Sequence, residues 1–299
     1  MKPLLLFFLT TCFAAVTVTA AATATAAGAV RVVTANLRVP ADSDYKTGDG
    51  WEQRRKLCRD VLVSLAADIY CFQECRQIQL DYIKQKFPAH EHFAILNSPK
   101  PSAIAQPTIA ILYNAARFKK TNAGGFYLSG TPEKPSRLPG AAYNRLVNWV
   151  LLHDTKTNLP LMVWNTHLDE ASAKKGGDAL REKQMKLILA AAAGIPDGTP
   201  LVLTGDMNAT ASSSALRAVT AAGWTDTYAA LHGPAGPGRT FHGFKGENHP
   251  RPGGQIDFIY IKNNLRPVAA EIIKTSKNNK YPSDHYFVTA TLEYLPAKN

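Results

Sequence analysis

Cysteine is scarce in this chain of 299 residues, which contains four. Cys12 lies in an N-terminal segment that has the features of a leader, so Cys58, Cys71 and Cys75 are the cysteines of the remaining chain. Three cysteines allow one disulfide bond and one free thiol, and their spacing is not that of a zinc site. The sequence therefore excludes a disulfide-stapled scaffold and leaves open whether a single disulfide forms.

Strongly apolar runs are short. The run Leu4–Leu9 is well below the roughly 20 residues that a membrane span needs. It follows Lys2 and precedes a tract rich in alanine and threonine with Ala-x-Ala sites such as Ala24–Ala26, and these features together describe a secretory signal peptide. We predict that residues 1–27 are this signal, that the mature protein is secreted or periplasmic with no stable membrane span, and that residues 28–299 form a single domain.

Acidic residues are fewer than basic ones, with 23 Asp and Glu against 34 Lys and Arg and a net charge of +11. Without Lys2, which leaves with the signal, the net charge is +10. Such a charge suits an acidic polymer, so nucleic acid is the expected partner, and nothing implies a protein partner. The basic residues are scattered along the chain, and the alternative is that they keep an exported protein soluble.

Internal repeats and low-complexity linkers are also absent after residue 29. Many short apolar runs, and few helical periodicities such as Leu57, Val61 and Leu65, predict two packed sheets flanked by helices. The aperiodic segment 231–254 is long for a compact domain, and we expect it to form the rim of a site. The predicted strands are 31–37, 68–72, 92–96, 108–113, 126–128, 146–153, 161–167, 201–204, 256–261 and 287–292, and the predicted helices are 51–66, 78–83, 180–191 and 215–222.

Polar residues stand at or just past the ends of several predicted strands, where an α/β protein presents its chemistry. Residues i and i+2 of an extended segment point to the same side, so Asp206 can act with Asn208, and Asn165 with His167. Carboxylate and amide oxygens are the ligands that Mg²⁺ prefers, and an Asp beside a His can fix its tautomer. Each feature alone has an ordinary explanation, such as an Asx turn at Asp206, but together they predict one metal-assisted hydrolytic site.

The order of these motifs resembles the endonuclease/exonuclease/phosphatase superfamily over nearly all of residues 30–295. The resemblance implies a fold of class α/β (α+β), a four-layer sandwich of two mixed β-sheets flanked by helices. It also implies a phosphoesterase that uses Mg²⁺ or Mn²⁺. The motifs that carry it are Thr34-Ala35-Asn36-Leu37, Phe72-Gln73-Glu74, Asn165-Thr166-His167-Leu168, Gly205-Asp206-Met207-Asn208, Ile256-Asp257-Phe258-Ile259 and Ser283-Asp284-His285.

The resemblance also implies roles for these residues. Glu74 would be the principal metal ligand, with Asn36 and Asp284 beside it. Asp206 would orient or deprotonate the water. The other implied catalytic residues are His167 and Asn208 on the phosphate and Asp257 paired with His285, and the implied substrate-binding residues are Asn165 and Arg145. Arg145 is a candidate phosphate contact, and an ordinary surface arginine is the alternative.

One position departs from part of the superfamily. The apurinic endonucleases carry an aspartate where this chain has Arg38, and they lack the histidine equivalent to His167. The chain looks more like the branch shared by secreted deoxyribonucleases, deadenylases, and sphingomyelin or inositol phosphatases. Its motifs Ile256–Ile259 and Tyr281–His285, with Arg145 and Trp149, are most similar to the deadenylase-like subgroup. The expected function is a secreted phosphodiesterase acting on DNA or RNA. The alternative is a hydrolase of phospholipid head groups or small phosphate esters. An inactive scaffold that only binds polyanions would be expected to lack some of the acidic and histidine positions, and none is missing.

Overall fold

The computed structural model describes residues 28–95, 108–171, 175–236 and 238–296. The predicted signal peptide, residues 1–27, lies outside the described residues. Within those ranges, no helix combines the length and the apolar character needed to cross a membrane.

The described residues form twelve strands and six α-helices. In chain order they are β1 (Val30–Asn36), α1 (Asp42–Tyr45), α2 (Trp51–Ser64), β2 (Ile69–Cys75), α3 (Gln77–Lys84), β3 (His90–Phe93), β4 (Thr108–Asn114), β5 (Phe118–Tyr127), β6 (Leu146–Asp154), β7 (Leu159–His167), α4 (Gly177–Ala192), β8 (Leu201–Asp206), α5 (Ser214–Ala221), β9 (Thr225–Asp226), α6 (Thr227–His232), β10 (Asp257–Lys262), β11 (Leu265–Ile273) and β12 (Phe287–Tyr294).

The strands form two six-stranded sheets. The first has the order β11-β12-β1-β2-β4-β3, and the second has the order β5-β6-β7-β8-β10-β9. Both are mixed, because β1 pairs with β2 and β7 pairs with β8 in parallel while the other pairs are antiparallel. The predicted pair of mixed sheets is confirmed.

Three apolar cores divide the molecule into four layers. The central core lies between the two sheets and includes Val32 and Val163. A second core packs α2 and α3 on the first sheet, and a third packs α4 and α5 on the second sheet. All six residues of β8 are buried. A strand that is buried on both faces has a nearly continuous run of apolar residues in its sequence. The predicted four-layer sandwich is therefore confirmed.

Parallel pairing places the carboxyl ends of β1, β2, β7 and β8 at one edge of the sandwich. The antiparallel strands β10 and β12 begin at the same edge. A hydrogen bond from Asn36, which ends β1, to Asp206, which ends β8, joins the two sheets there. We call this edge the site edge and the opposite one the far edge.

The far edge is closed by Arg117, which is 4 % exposed. Its Nε and one terminal nitrogen donate to the two carboxylate oxygens of Asp154 at 3.0 and 2.7 Å, and the other terminal nitrogen donates to Asp68 at 3.1 Å. The carbonyls of Gly28 and Ala29 accept two more bonds, both 2.6 Å long. The five donor groups of the guanidinium thus all have partners.

The three cysteines of the described chain are buried and unpaired. Burial raises the pKa of the Cys58 and Cys71 thiols to about 12. The disulfide that the sequence left open is therefore absent from the described residues, and these cysteines act as small core side chains.

Candidate active site

At the site edge the two sheets are in contact through Asp206. Its carboxylate accepts hydrogen bonds from the Asn36 side chain at 3.0 Å and from the backbone N–H of Asn208 at 2.9 Å. The Nε2 atoms of His167 and His285 lie 3.5 and 3.8 Å from Oδ2. Burial and the nearby charge of Asp257 raise the pKa of Asp206 to about 7. The group therefore exchanges a proton near neutral pH, as a catalytic base must.

The preceding residue, Gly205, allows this close approach of β8 to β7. A Cβ atom built on Gly205 would clash with the carbonyl oxygen of Thr166. Glycine is thus required at this point, because any side chain would push the end of β8 and its aspartate away from β7.

Glu74 and Asp284 form a second acidic group beside Asp206. Glu74 accepts from the Asn36 amide at 3.1 Å and from the backbone N–H of Val39 at 3.0 Å. Burial raises the pKa of Asp284, and the negative charge of Glu74 adds to that rise. The Nε of Arg38 is 3.7 Å from Asp284, but its short bonds are two to Asp44, at 2.9 and 3.1 Å. The two carboxylates are therefore only partly neutralised.

The chemistry of Glu74 and Asp284 fits a divalent cation, because hard oxygen ligands crowd together with too little positive charge. Asn36 presents its amide nitrogen to Glu74 and Asp206, while its oxygen accepts from the backbone N–H of Arg38 at 2.9 Å. In this arrangement Asn36 positions the carboxylate ligand through its nitrogen.

Another set of donor atoms, from Asp206, Asp257 and His285, also lies within 4.8 Å of one another. His285 donates from Nδ1 to Asp257 at 2.9 Å. Burial opposes a charge on the imidazole, but Asp257, Asp206 and Asp284 outweigh it and raise the pKa of His285 to about 10. Asp257 thus holds His285 as an imidazolium, whereas Glu74 and Asp284 offer the hard oxygen ligands that a divalent cation prefers.

His167 and Asn208 form the opposite wall. Burial, then the positive charges of Arg145 and His285, hold the pKa of His167 well below 6.5. Its imidazole is therefore neutral. Asn208 donates from Nδ2 to Nε2 of His167 and to the carbonyl of Leu168, both at 3.1 Å. The two histidines of the site thus differ in charge, because His285 is hydrogen-bonded to Asp257, whereas burial and the charges of Arg145 and His285 keep His167 neutral.

Arg145 lies half-buried behind this wall. Its guanidinium stacks at 5.0 Å over the ring of Tyr143. Burial lowers its pKa, and the carboxylates of Asp206 and Asp169 oppose that effect. Its buried Nε has no hydrogen-bond partner within the described ranges. Its positive charge acts on Asp206 and His167 from behind the wall.

Asn165 does not reach the cleft. It is fully buried between the sheets, where its amide contacts backbone and side chains of β2, β4 and β8. Six of the ten residues predicted for the site therefore line the cleft, namely Glu74, His167, Asp206, Asn208, Asp284 and His285. Asn36 and Asp257 are buried behind them and bonded to them, Arg145 lies behind the wall, and Asn165 lies one layer beneath.

The cleft at the site edge has a volume of about 390 Å³. The segment 231–254, predicted as a rim, contributes Phe241, Gly243 and Phe244 to its wall. Phe241 is 40 % exposed and lies edge-on to His285, with ring centroids 5.1 Å apart. The lining residues are Arg38, Asp44, Glu74, His167, Glu170, Asp206, Asn208, Phe241, Gly243, Phe244, Ile256, Asp284 and His285.

Among these, Asp44 and Glu170 were missed by the sequence reasoning. Asp44 lies in the single-turn helix α1, and Glu170 lies in the loop after β7. Neither position has a periodic pattern around it, so the sequence offered no signal for them. Arg38 was noticed only as a departure from the apurinic endonucleases.

A four-layer sandwich with this set of carboxylate, amide and imidazole groups defines a phosphoester hydrolase. The chain matches the model of the Endonuclease/Exonuclease/phosphatase family over residues 33–285, and it belongs to that family. A comparison with curated protein sequences finds no match.

Several solved structures share the fold. A mannosyl-6-phosphatase of Bacteroides thetaiotaomicron is 24 % identical, with a TM-score of 0.77, and the match covers 89 % of this chain and 100 % of that one. The catalytic domain of human Nocturnin with bound sulfate is 18 % identical, with a TM-score of 0.69 and coverage of 89 % and 94 %. TDP2 of D. rerio complexed with a single-strand DNA product is 15 % identical, with a TM-score of 0.68 and coverage of 89 % and 99 %.

Proposed function

We propose that this chain is an exported, divalent-metal-dependent phosphodiesterase that hydrolyses nucleic acid. The observation that carries the proposal is the convergence on one cleft of a neutral histidine, an imidazolium and three carboxylates. These groups come from the ends of strands in both sheets. Each has a distinct part in the hydrolysis of a phosphoester, which needs charge neutralisation, an activated water and an orienting site.

The cation, Mg²⁺ or Mn²⁺, would be held by Glu74 and Asp284, and when bound it supplies positive charge to the phosphate and the leaving oxygen. Asn36 holds Glu74 in place through its amide nitrogen. Binding of a cation also relieves the repulsion between the two carboxylates, so the same residues are expected to bind metal in the absence of substrate.

Asp206 accepts the proton of the attacking water. Its raised pKa places this proton exchange near neutral pH, and the Asn36 amide and the Asn208 N–H fix the carboxylate in one orientation. His285 stays protonated across this range and neutralises charge that develops on the phosphoryl oxygens. Asp257 keeps it protonated and oriented.

His167, Asn208 and Arg145 bind the phosphate on the other wall. The neutral His167 adds no charge. Arg145 supplies one from behind the wall.

Nucleic acid is the proposed substrate because an exposed aromatic ring lies beside the reacting group. Phe241 is fixed by backbone pairing with His285 and still exposes 40 % of its surface. Exposed rings beside a phosphate site stack bases, and the net charge of +10 outside the signal attracts a polyanion. The structure of TDP2 with a DNA product shows that this fold accepts such a ligand.

A small sugar phosphate is the second candidate. The mannosyl-6-phosphatase superposes with a higher TM-score than TDP2, 0.77 against 0.68, and with higher identity. An aromatic ring such as Phe241 can also pack against the apolar face of a sugar.

The test is hydrolysis by purified residues 28–299 with Mg²⁺, with Mn²⁺ and with EDTA. The panel holds single-stranded DNA, RNA, duplex DNA, sphingomyelin and mannose 6-phosphate, and Asp206→Asn serves as the control for contaminating nucleases. EDTA-sensitive cleavage of a polynucleotide that Asp206→Asn lacks supports the proposal. Cleavage of mannose 6-phosphate or sphingomyelin alone transfers support to the alternative, and EDTA-resistant cleavage overturns the metal assignment.

Export rests on residues 1–27 and has its own test. The full-length chain is expressed in a Gram-negative host and the cell fractions are analysed by mass spectrometry. A mature protein that begins near residue 28 and appears outside the cytoplasm agrees with the proposal. An uncleaved cytoplasmic chain contradicts it.

A further inference from the structure

Strand β2 contains an irregularity at the position where it presents Glu74. The register between β2 and β4 shifts between Phe72 and Cys75, so Gln73 and Glu74 together stand opposite Ile109. Glu74 has φ of 53°, in the left-handed region that glutamate rarely adopts. A bulge of this kind disrupts the ladder locally and re-aims a side chain, and here the side chain is the proposed metal ligand.

Asn165 supplies hydrogen-bond donors at this irregularity from the other sheet. Its Nδ2 donates to the carbonyl of Phe72 at 2.8 Å and to the carbonyl of Ala110 at 3.1 Å. Phe72 and Ala110 are the last regular pair before the register shifts. The amide of Asn165 therefore holds β2 and β4 at the point where their own ladder is interrupted.

Gln73 completes the connection. Its Nε2 donates to Oδ1 of Asn165 at 2.7 Å and to the hydroxyl of Thr34 at 3.0 Å, and all three side chains are fully buried. Thr204 also donates to Oδ1 of Asn165, at 3.3 Å. The network thus joins β1 and β2 of the first sheet to β7 and β8 of the second.

This network forms a layer directly beneath the cleft. Thr34, Asn165 and Thr204 each lie two residues before a site residue on the same strand, namely Asn36, His167 and Asp206. Residues i and i+2 share a face of a strand. The polar layer therefore fixes the position of each strand end, along the strand direction, relative to the other strand ends.

We propose that Asn165 and Gln73 are positioning residues. They hold the bulge of β2 and thereby fix the position of Glu74 relative to Asp206. This inference rests on the proposed function. It differs from the substrate-binding role predicted for Asn165, because the amide acts through Glu74 and reaches no substrate. Misplacement of a reacting group by about 1 Å can lower a rate by about 100-fold.

The experiment compares Asn165→Leu, Asn165→Asp and Gln73→Met with Arg117→Met. Arg117 also joins the two sheets through buried polar bonds, but at the far edge, so its variant controls for loss of stability alone. The measurements are kcat and KM for bis-p-nitrophenyl phosphate with Mg²⁺, the Mn²⁺ affinity of the metal-free protein by calorimetry, and Tm.

We expect all four variants to have a lower Tm. The Asn165 and Gln73 variants should also lose about tenfold or more in kcat with little change in KM, because binding groups other than Glu74 stay in place. Their Mn²⁺ affinity should fall by a similar factor, while Arg117→Met keeps both values. Asn165→Asp retains the acceptor for Gln73 and loses the donors to the bulge, so it remains informative where Asn165→Leu fails to fold.

Two outcomes overturn the inference. One is normal kcat and Mn²⁺ affinity in folded Asn165 variants, and the other is an equal loss in Arg117→Met. If the wild-type protein itself neither binds Mn²⁺ nor cleaves a phosphodiester, the proposed function fails first, and the positioning role fails with it.

Discussion

The two edges of the sandwich both bury charged groups, but they balance them differently. At the far edge, Arg117 places all five of its donors on Asp154, Asp68 and two backbone carbonyls. At the site edge, Asp206 and Asp284 are buried with raised pKa values. Groups with complete partners stabilise the fold. Groups with incomplete partners are available to a ligand, so the difference separates structural charge from functional charge.

Removal of the central carboxylate is expected to have the largest effect. Asp206→Asn should lower kcat by about 1000-fold, because the loss of a general base typically lowers a rate by about 100- to 10,000-fold. The unfolding free energy should stay level or rise, since a buried charge is removed. Steady-state kinetics and urea denaturation check both values. A marked loss of stability would show that Asp206 belongs with the structural charges.

At the far edge we expect the opposite pattern, in which stability falls and activity is kept. Arg117→Met leaves Asp154 and Asp68 buried without their cation, and breaking such a pair destabilises a protein by about 3 kcal/mol or more. The variant should unfold at lower urea concentration and keep its kcat well below its Tm. A loss of kcat in fully folded protein would contradict the separation of the two edges.

Stability of the metal-free protein should fall as pH rises. Folding raises the pKa of Asp206 from 3.8 to about 7 and that of His285 from 6.5 to about 10. The folded chain therefore holds protons that the unfolded chain releases, first between pH 4 and 7 and then between pH 6.5 and 10, so the unfolding free energy decreases across both windows. A shift of about 3 pH units corresponds to about 4 kcal/mol, so the decrease across both windows should be several kcal/mol.

Urea denaturation in EDTA from pH 5 to 9 measures this fall. Asp206→Asn should flatten the lower window and narrow the upper one, because the charge of Asp206 also helps to raise the pKa of His285. A stability that rises with pH in both proteins would refute the assignment of an unbalanced site edge.

The smallest effect is expected at Arg145. Arg145→Met should raise KM by about tenfold, the loss of one charge-assisted hydrogen bond to the phosphate. Arg145→Lys should restore part of the affinity, because the ammonium keeps the charge and loses the directed fork. Initial rates over a range of substrate concentration measure this. An unchanged KM in Arg145→Met would place this arginine with the structural residues.

Much of this fold follows from local sequence patterns, and the exceptions are the short helices α1 and α6 and several edge strands. Strand β8 was predicted because its residues are buried on both faces and read as one apolar run. Strand β11 was not predicted, and β5 was predicted only at 126–128. Both are edge strands, in which Pro267, Lys119 and Lys120 interrupt the apolar pattern. Such residues protect an edge strand from pairing with other chains. They also interrupt the apolar pattern by which a strand is recognised in a sequence.

The candidate site shows a different limit of sequence reasoning. The residues that end strands, such as His167 and Asp206, were placed together because strand ends in an α/β protein are where its chemistry is presented. The rule that residues i and i+2 share a face also grouped Asn165 with His167. That rule predicts which face of the strand a side chain is on, but not how far it lies from the end of the strand. Asn165 faces the same way one layer lower, where only the packing of the two sheets decides what it contacts.

The pairing of β1 with β12 has a consequence for the newborn chain. Asn36 ends a strand whose antiparallel neighbour, Phe287–Tyr294, is translated more than 250 positions later. Contacts so distant in sequence form late, after the intervening loop entropy has been overcome. The ribosome-bound polypeptide therefore stays inert until this strand has emerged. For the proposed nuclease, such a delay would protect the synthesising cell during translation.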